Sequence, residues 1–139
     1  MRYLGLDLGT KTLGISISDI THTIANSLTI LRFSDGEYDQ IYPKLKEIID
    51  EYEISKIILG FPKNMNNTVG ERGIIALQFK EKLFNWFGIE VIMQDERLTT
   101  VEATNYLLEA DMSRKKRKKH IDAIAANIIL QTYLDKRKD

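Results

Sequence analysis

Three acidic residues, Asp7, Glu96 and Asp122, stand where local structure alone gives little reason for a carboxylate. Asp7 interrupts the apolar run RYLGLDL just before a glycine turn. A lone Asp lowers strand propensity and, if buried, needs a hydrogen bond, a counter-charge or a metal. Glu96 follows the apolar stretch IEVIMQ, and Asp122 lies in HIDAIAANIIL, shortly before Ala125 and Ala126. Each has an ordinary explanation: an Asx turn for Asp7, solvent or Arg97 for Glu96, the dipole of a first helical turn for Asp122. Brought together, however, three carboxylates would raise one another's pKa, so the set needs a cation. In a chain with no cysteine and two histidines, hard oxygen ligands suit Mg²⁺ or Mn²⁺. Such ions can activate a water and stabilise the leaving oxygen of a phosphodiester. Whether the three converge is a question of fold.

Arg2–Leu8 reads as a buried strand, Leu13–Asp19 as a half-buried strand of period two, and Ile24–Phe33 as a third. Their short connections imply an antiparallel meander. Ile41, Leu45, Ile48, Ile49 and Tyr52 then recur at helical spacing over Tyr38–Tyr52, with Pro43 near the start. Lys56–Phe61 (KIILGF) is nearly continuous in apolar residues, as in a strand covered on both faces. Lys63–Gly70 is polar and loop-like. Glu71–Phe87 is helical and ends at Gly88, with Trp86 and Phe87 on its packing side. Ile89–Gln94 is the fifth strand; Thr99 and Glu102 have the spacing of a capping box opening a helix over Thr100–Ala110. His120–Leu134 is the last helix. A meander followed by alternating helix and strand predicts an α/β domain, a mixed five-stranded sheet flanked by helices, over residues 1–139.

The net charge is zero, yet six basic residues are consecutive: Arg114, Lys115, Lys116, Arg117, Lys118 and Lys119. Setting them aside leaves 14 basic against 20 acidic residues. A positive block on a negative body points to an anionic partner, or to a solvated mobile loop. Without cysteine, disulfide chemistry is excluded. The first apolar run is too short for a signal peptide, and no stretch nears the roughly 20 apolar residues of a membrane span. A cytoplasmic protein with no membrane partner is expected.

Four motifs in order then carry a likeness. They are Asp7-Leu8-Gly9 with Lys11 and Gly14; Gly60-Phe61-Pro62 with Asn64-Met65; Asp95-Glu96-Arg97-Leu98-Thr99-Thr100; and His120-Ile121-Asp122-Ala123 with Ala125-Ala126. Over nearly its whole length the chain resembles the YqgF family, also called RuvX. These are RNase-H-like proteins described as Holliday junction resolvases and as nucleases of pre-16S rRNA 5′-end maturation. The resemblance implies an RNase-H-like fold and a catalytic, metal-binding set of Asp7, Glu96 and Asp122. Lys11, Asn64, Arg72 and Arg97 become candidate phosphate contacts. Arg114–Lys119 becomes a salt-sensitive contact to nucleic-acid backbone. The family's Asp-Gly after Asn-Met is here Asn66-Asn67, a departure that bears on that loop's substrate contacts.

The implied activity is metal-dependent hydrolysis of structured RNA, with the pre-ribosomal small subunit as its setting. The alternatives are cleavage of DNA junctions, which would favour a symmetric dimer, and an RNA-binding assembly or transcription factor without turnover. Asp7-Leu8-Gly9-Thr10 also resembles the first phosphate loop of actin-like ATPases, but those place nucleotide between two domains.

Overall fold

The computed structural model describes residues 1–61, 70–95 and 114–136, with side chains except at Asp95 and over 114–123. β1 (Arg2–Leu8), β2 (Thr12–Ser18) and β3 (Ala25–Arg32) form the antiparallel meander that their alternation predicts. β4 (Ile54–Phe61) runs parallel to β1, and β5 (Glu90–Asp95) parallel to β4, so the sheet order is β3-β2-β1-β4-β5. After β1 the chain moves to one side, and after β4 to the other. The switch in strand order therefore falls between β1 and β4, and ligands of such sheets bind outside the carboxyl ends of the strands at that point.

A 3₁₀ turn at Tyr38–Gln40 leads into α1 (Ile41–Tyr52). Pro43 is tolerated as its third residue because the first amides of a helix have no intrahelical acceptor. α2 (Glu71–Phe87) ends at Gly88, whose φ of 64° is the left-handed conformation expected there. Period two divides the strands between two cores. Leu4, Leu6, Leu8, Ile57 and Leu59 pack with Ile41, Tyr42, Leu45, Ile49, Phe79 and Leu83 of α1 and α2. Tyr3 and Ile58 pack with Ile129, Leu130 and Leu134 of α3 (Arg114–Lys136) on the other face. β4 is thus covered on both faces, as its composition predicts. No helix among the described residues is long and apolar enough to cross a membrane.

The structure corrects three expectations. α3 begins at Arg114, not His120, so Arg114–Lys119 is the opening of a helix rather than a mobile loop. Lys and Arg are good helix formers, and no Gly or Pro separates them from the apolar segment that packing holds helical. Asp122 consequently lies in the third turn of α3, beyond reach of the helix-end charge that would have explained it. Trp86, expected on the packing side, is 54% exposed and stacks on buried Tyr42 with ring centroids 5.3 Å apart.

Candidate active site at the carboxyl end of β1

Alternation along β1 puts Tyr3, Gly5 and Asp7 on the α3 face, opposite Leu4, Leu6 and Leu8. β1 and α3 approach closely at Gly5. A Cβ there would lie 2.7 Å from Leu130 Cβ and 3.1 Å from the Ala126 carbonyl oxygen. Ser16, the cross-strand partner of Gly5, donates its hydroxyl to that same carbonyl at 2.7 Å. Gln131 adds a second anchor, accepting from the Ala25 amide at 2.8 Å and donating to the Thr23 carbonyl at 3.0 Å.

These contacts fix direction and register. Tyr3 meets Tyr133, whereas Gly5 meets Leu130 and Ala126, so α3 runs antiparallel to β1. Two residues beyond Gly5, about 6.6 Å along the strand, stands half-buried Asp7. One turn before Ala126, about 6 Å along the helix, stands Asp122. The two steps match, so the backbones bearing Asp7 and Asp122 reach the same end of the sheet. β5 ends there too, because Leu6 is level with Leu59 and Leu59 with Met93. Asp95 is the last residue of β5, immediately before Glu96 in sequence. Adjacent strands lie about 4.8 Å apart, so β1 and β5, with β4 between them, are separated by about 10 Å.

Around Asp7 the turn is fixed by backbone. Gly9 N–H donates to the Thr12 carbonyl at 2.8 Å, Phe33 N–H to Lys11 at 2.9 Å and Gly36 N–H to Thr10 at 3.1 Å. Gly36 has φ 75°, a conformation that favours glycine. Lys11 is exposed at this rim. Half-buried Arg72, in the first turn of α2, donates to the Leu8 carbonyl at 2.9 Å and to the Tyr38 hydroxyl at 3.1 Å. Lys11 and Arg72 are therefore at the Asp7 end of the sheet. Asn64, Glu96 and Arg97, the Lys63–Gly70 loop apart from Gly70, the capping box and the helix expected over Thr100–Ala110 lie outside the described residues.

Among the described residues no three His, Asp or Glu side chains form a cluster suited to a metal ion. His22 sits at the opposite end of β1, with Nε2 2.7 Å from the Met1 carbonyl oxygen. Gly5, Ser16 and Tyr38 position this end of the molecule but carry no weight in the sequence reading. A glycine inside the strand run YLGLD was the available signal for the first.

A sequence profile of the family RuvX, described as Holliday junction resolvase, matches residues 1–136. A Thermoanaerobacter pseudethanolicus protein named "Putative pre-16S rRNA nuclease" is 51% identical over 140 residues, covering 100% of this chain and 99% of its own. A Bacillus subtilis protein of the same name is 50% identical, covering 97% and 98%. Among solved structures, T. thermophilus RuvC in complex with a Holliday junction substrate superposes with a TM-score of 0.55. Sequence identity there is 15%, over 96% of this chain and 93% of the other. The Fowlpox virus resolvase bound to Holliday junction DNA gives a TM-score of 0.60 at 14% identity over 97% of both chains. At such identities the likeness is one of fold, the RNase-H-like mixed sheet. The profile match and the two half-identical relatives make the chain a member of the RuvX family.

Proposed function

We propose that the chain is a metal-dependent nuclease, a hydrolase of phosphodiester bonds that acts in the cytoplasm on the 5′ end of pre-16S rRNA. The observation that carries this reading is the convergence of backbone at the switch point. Asp7, the end of β5 that leads into Glu96, and the α3 turn bearing Asp122 share one end of the sheet. The names of the half-identical relatives support the RNA substrate.

Asp7, Glu96 and Asp122 would hold Mg²⁺ or Mn²⁺, which would supply an activated water and neutralise charge on the leaving oxygen. Asp7 fits that role: a half-buried carboxylate on an ordered strand, beside a turn held by three backbone hydrogen bonds. Lys11 contributes positive charge at the rim and, with Asn64 and Arg97, would contact phosphate, whereas the Arg72 guanidinium is engaged by the Leu8 carbonyl and the Tyr38 hydroxyl. Arg114–Lys119, continuous in one helix with Asp122, would hold nucleic-acid backbone beside the reacting phosphate. The family's description as Holliday junction resolvase favours a second reading, cleavage of a DNA junction.

The test is incubation of the purified protein with a 16S precursor carrying its 5′ extension, and with a four-way DNA junction. Each is run with Mn²⁺, Mg²⁺ or EDTA, beside Asp7→Asn. Metal-dependent cleavage of the RNA, lost in the variant, is the expected result. Cleavage of the junction alone would select the second reading. RNA binding by both proteins without cleavage would leave a binding factor.

A further inference from the structure

We infer that Arg72 and Tyr38 form a strap that positions the strand end bearing Asp7, an inference that rests on the nuclease reading for its effect on turnover. β1 is paired on both sides only part of the way: its register pairs with β4 run from Arg2 to Leu6. Leu8 lies beyond them, at the carboxyl end of the strand. Its carbonyl accepts from Arg72 Nη2 at 2.9 Å. Nη1 of the same guanidinium donates to the Tyr38 hydroxyl at 3.1 Å. Tyr38 in turn packs on buried Phe33, ring centroids 5.5 Å apart, and the Phe33 amide donates to the Lys11 carbonyl at 2.9 Å.

A closed path thus runs from Leu8 through Arg72, Tyr38 and Phe33 to Lys11, returning through the Gly9–Thr10 turn. Asp7 immediately precedes it. α2 packs on the Leu4–Leu6–Leu8 face of β1, whereas alternation turns Asp7 to the α3 face. Arg72 therefore acts on Asp7 through the backbone of Leu8. A planar guanidinium can serve a carbonyl and a phenol at once in fixed geometry, which a lysine ammonium on its flexible stem does not reproduce. Displacing a reacting group by about 1 Å costs on the order of 10²-fold in rate.

Arg72→Lys and Tyr38→Phe separate this role from phosphate binding. The strap predicts kcat lower by about 10- to 100-fold in Arg72→Lys and by about 3- to 10-fold in Tyr38→Phe. KM and its salt dependence stay unchanged in both. A phosphate contact predicts the reverse: Tyr38→Phe neutral, Arg72→Lys nearly so because the charge is kept, and Arg72→Gln raised in KM. Amide hydrogen exchange supplies a readout independent of turnover. Residues 7–12 should exchange about tenfold faster in both variants while residues 19–24 stay unchanged. Wild-type kcat in Tyr38→Phe, or unaltered exchange over 7–12, overturns the strap. If wild-type protein cleaves neither RNA nor junction, the nuclease reading falls by itself and the exchange experiment still decides the strap.

Discussion

At the amino end of β1, Asp19, His22 and Lys56 find their partners inside the molecule; at its carboxyl end Lys11 faces solvent and Arg72 supports backbone. Tyr3 contacts both His22, stacked at 4.0 Å, and Lys56, whose ammonium lies 5.1 Å from the ring centroid and 3.9 Å from Glu90. Asp19 accepts from the Thr21 hydroxyl and from the amides of Thr23 and Ile24, at 2.8 and 3.1 Å for the amides. At the other end, none of the ion pairs found among the described residues, Lys46–Asp50, Lys56–Glu90 and Lys82–Asp39, involves Lys11 or Arg72. Lys11 is exposed there, and Arg72 is turned to a carbonyl and a phenol. A self-satisfied end needs only to fold. An end that offers charge to solvent is where a charged ligand has something to gain.

The largest effect expected from this contrast is at Asp7. Asp7→Asn should lower cleavage of the rRNA precursor by at least about 10³-fold, the scale of losing metal-supplied charge stabilisation. Asp19→Asn, the same change at the closed end, should leave the rate within about twofold because nothing at that end bears on the reacting phosphate. Equal loss in both variants would break the comparison. The basic start of α3 comes next. Replacing Arg114–Lys119 with glutamine should weaken RNA binding at low salt. It should also flatten the plot of log affinity against log salt by up to about four units, at about 0.7 per single-strand phosphate contact. An unchanged slope, measured by filter binding across salt, would show that the stripe makes no phosphate contacts.

How much of this was legible in the sequence follows from what each signal encodes. Alternation marks burial, so β1 was read to the residue and β2 and β3 to within one. Helical period and Gly88 gave α2 its bounds for the same reason. The start of α3 escaped because six consecutive cations show no apolar period, although their intrinsic helix propensity is good. Tyr42 was missed as core: its ring is buried by the stack under Trp86, a contact between two helices that no single helix pattern reveals. At the site, residue types pointed to Asp7, but the convergence depends on pairing order and on one close approach at Gly5. Neither is written in local spacing.

That close approach tests whether the two ends are mechanically linked. Gly5→Ala places a methyl group against the Ser16 hydroxyl, which holds the Ala126 carbonyl, and against Leu130 Cβ and that carbonyl itself. Overpacking of this kind costs about 1–3 kcal/mol, visible as a melting temperature lower by several degrees. If α3 sets the position of Asp122, cleavage should fall further than the unfolded fraction explains, while exchange over residues 19–24 stays as in wild type. Loss of stability alone, with full activity in the folded population, would uncouple the α3 contact from the site.

The smallest effect belongs to the closed end and depends on pH. Three hydrogen bonds, the Thr21 hydroxyl first and then the Thr23 and Ile24 amides, hold the Asp19 carboxyl at about 2, below its ordinary 3.8. A group whose folded pKa is depressed stabilises the fold above its unfolded pKa and loses that contribution as pH falls through the folded one. Asp19 therefore stabilises the native state fully above about pH 4 and progressively less toward pH 2. The contribution is small because the group is open to solvent, which screens it. Urea midpoints should differ between wild type and Asp19→Asn at pH 7, and the gap should close between pH 4 and pH 2. A gap that persists unchanged to pH 2 would mean that the loop depends on the shape of the side chain and not on its charge, and the closed end would then owe its order to packing alone.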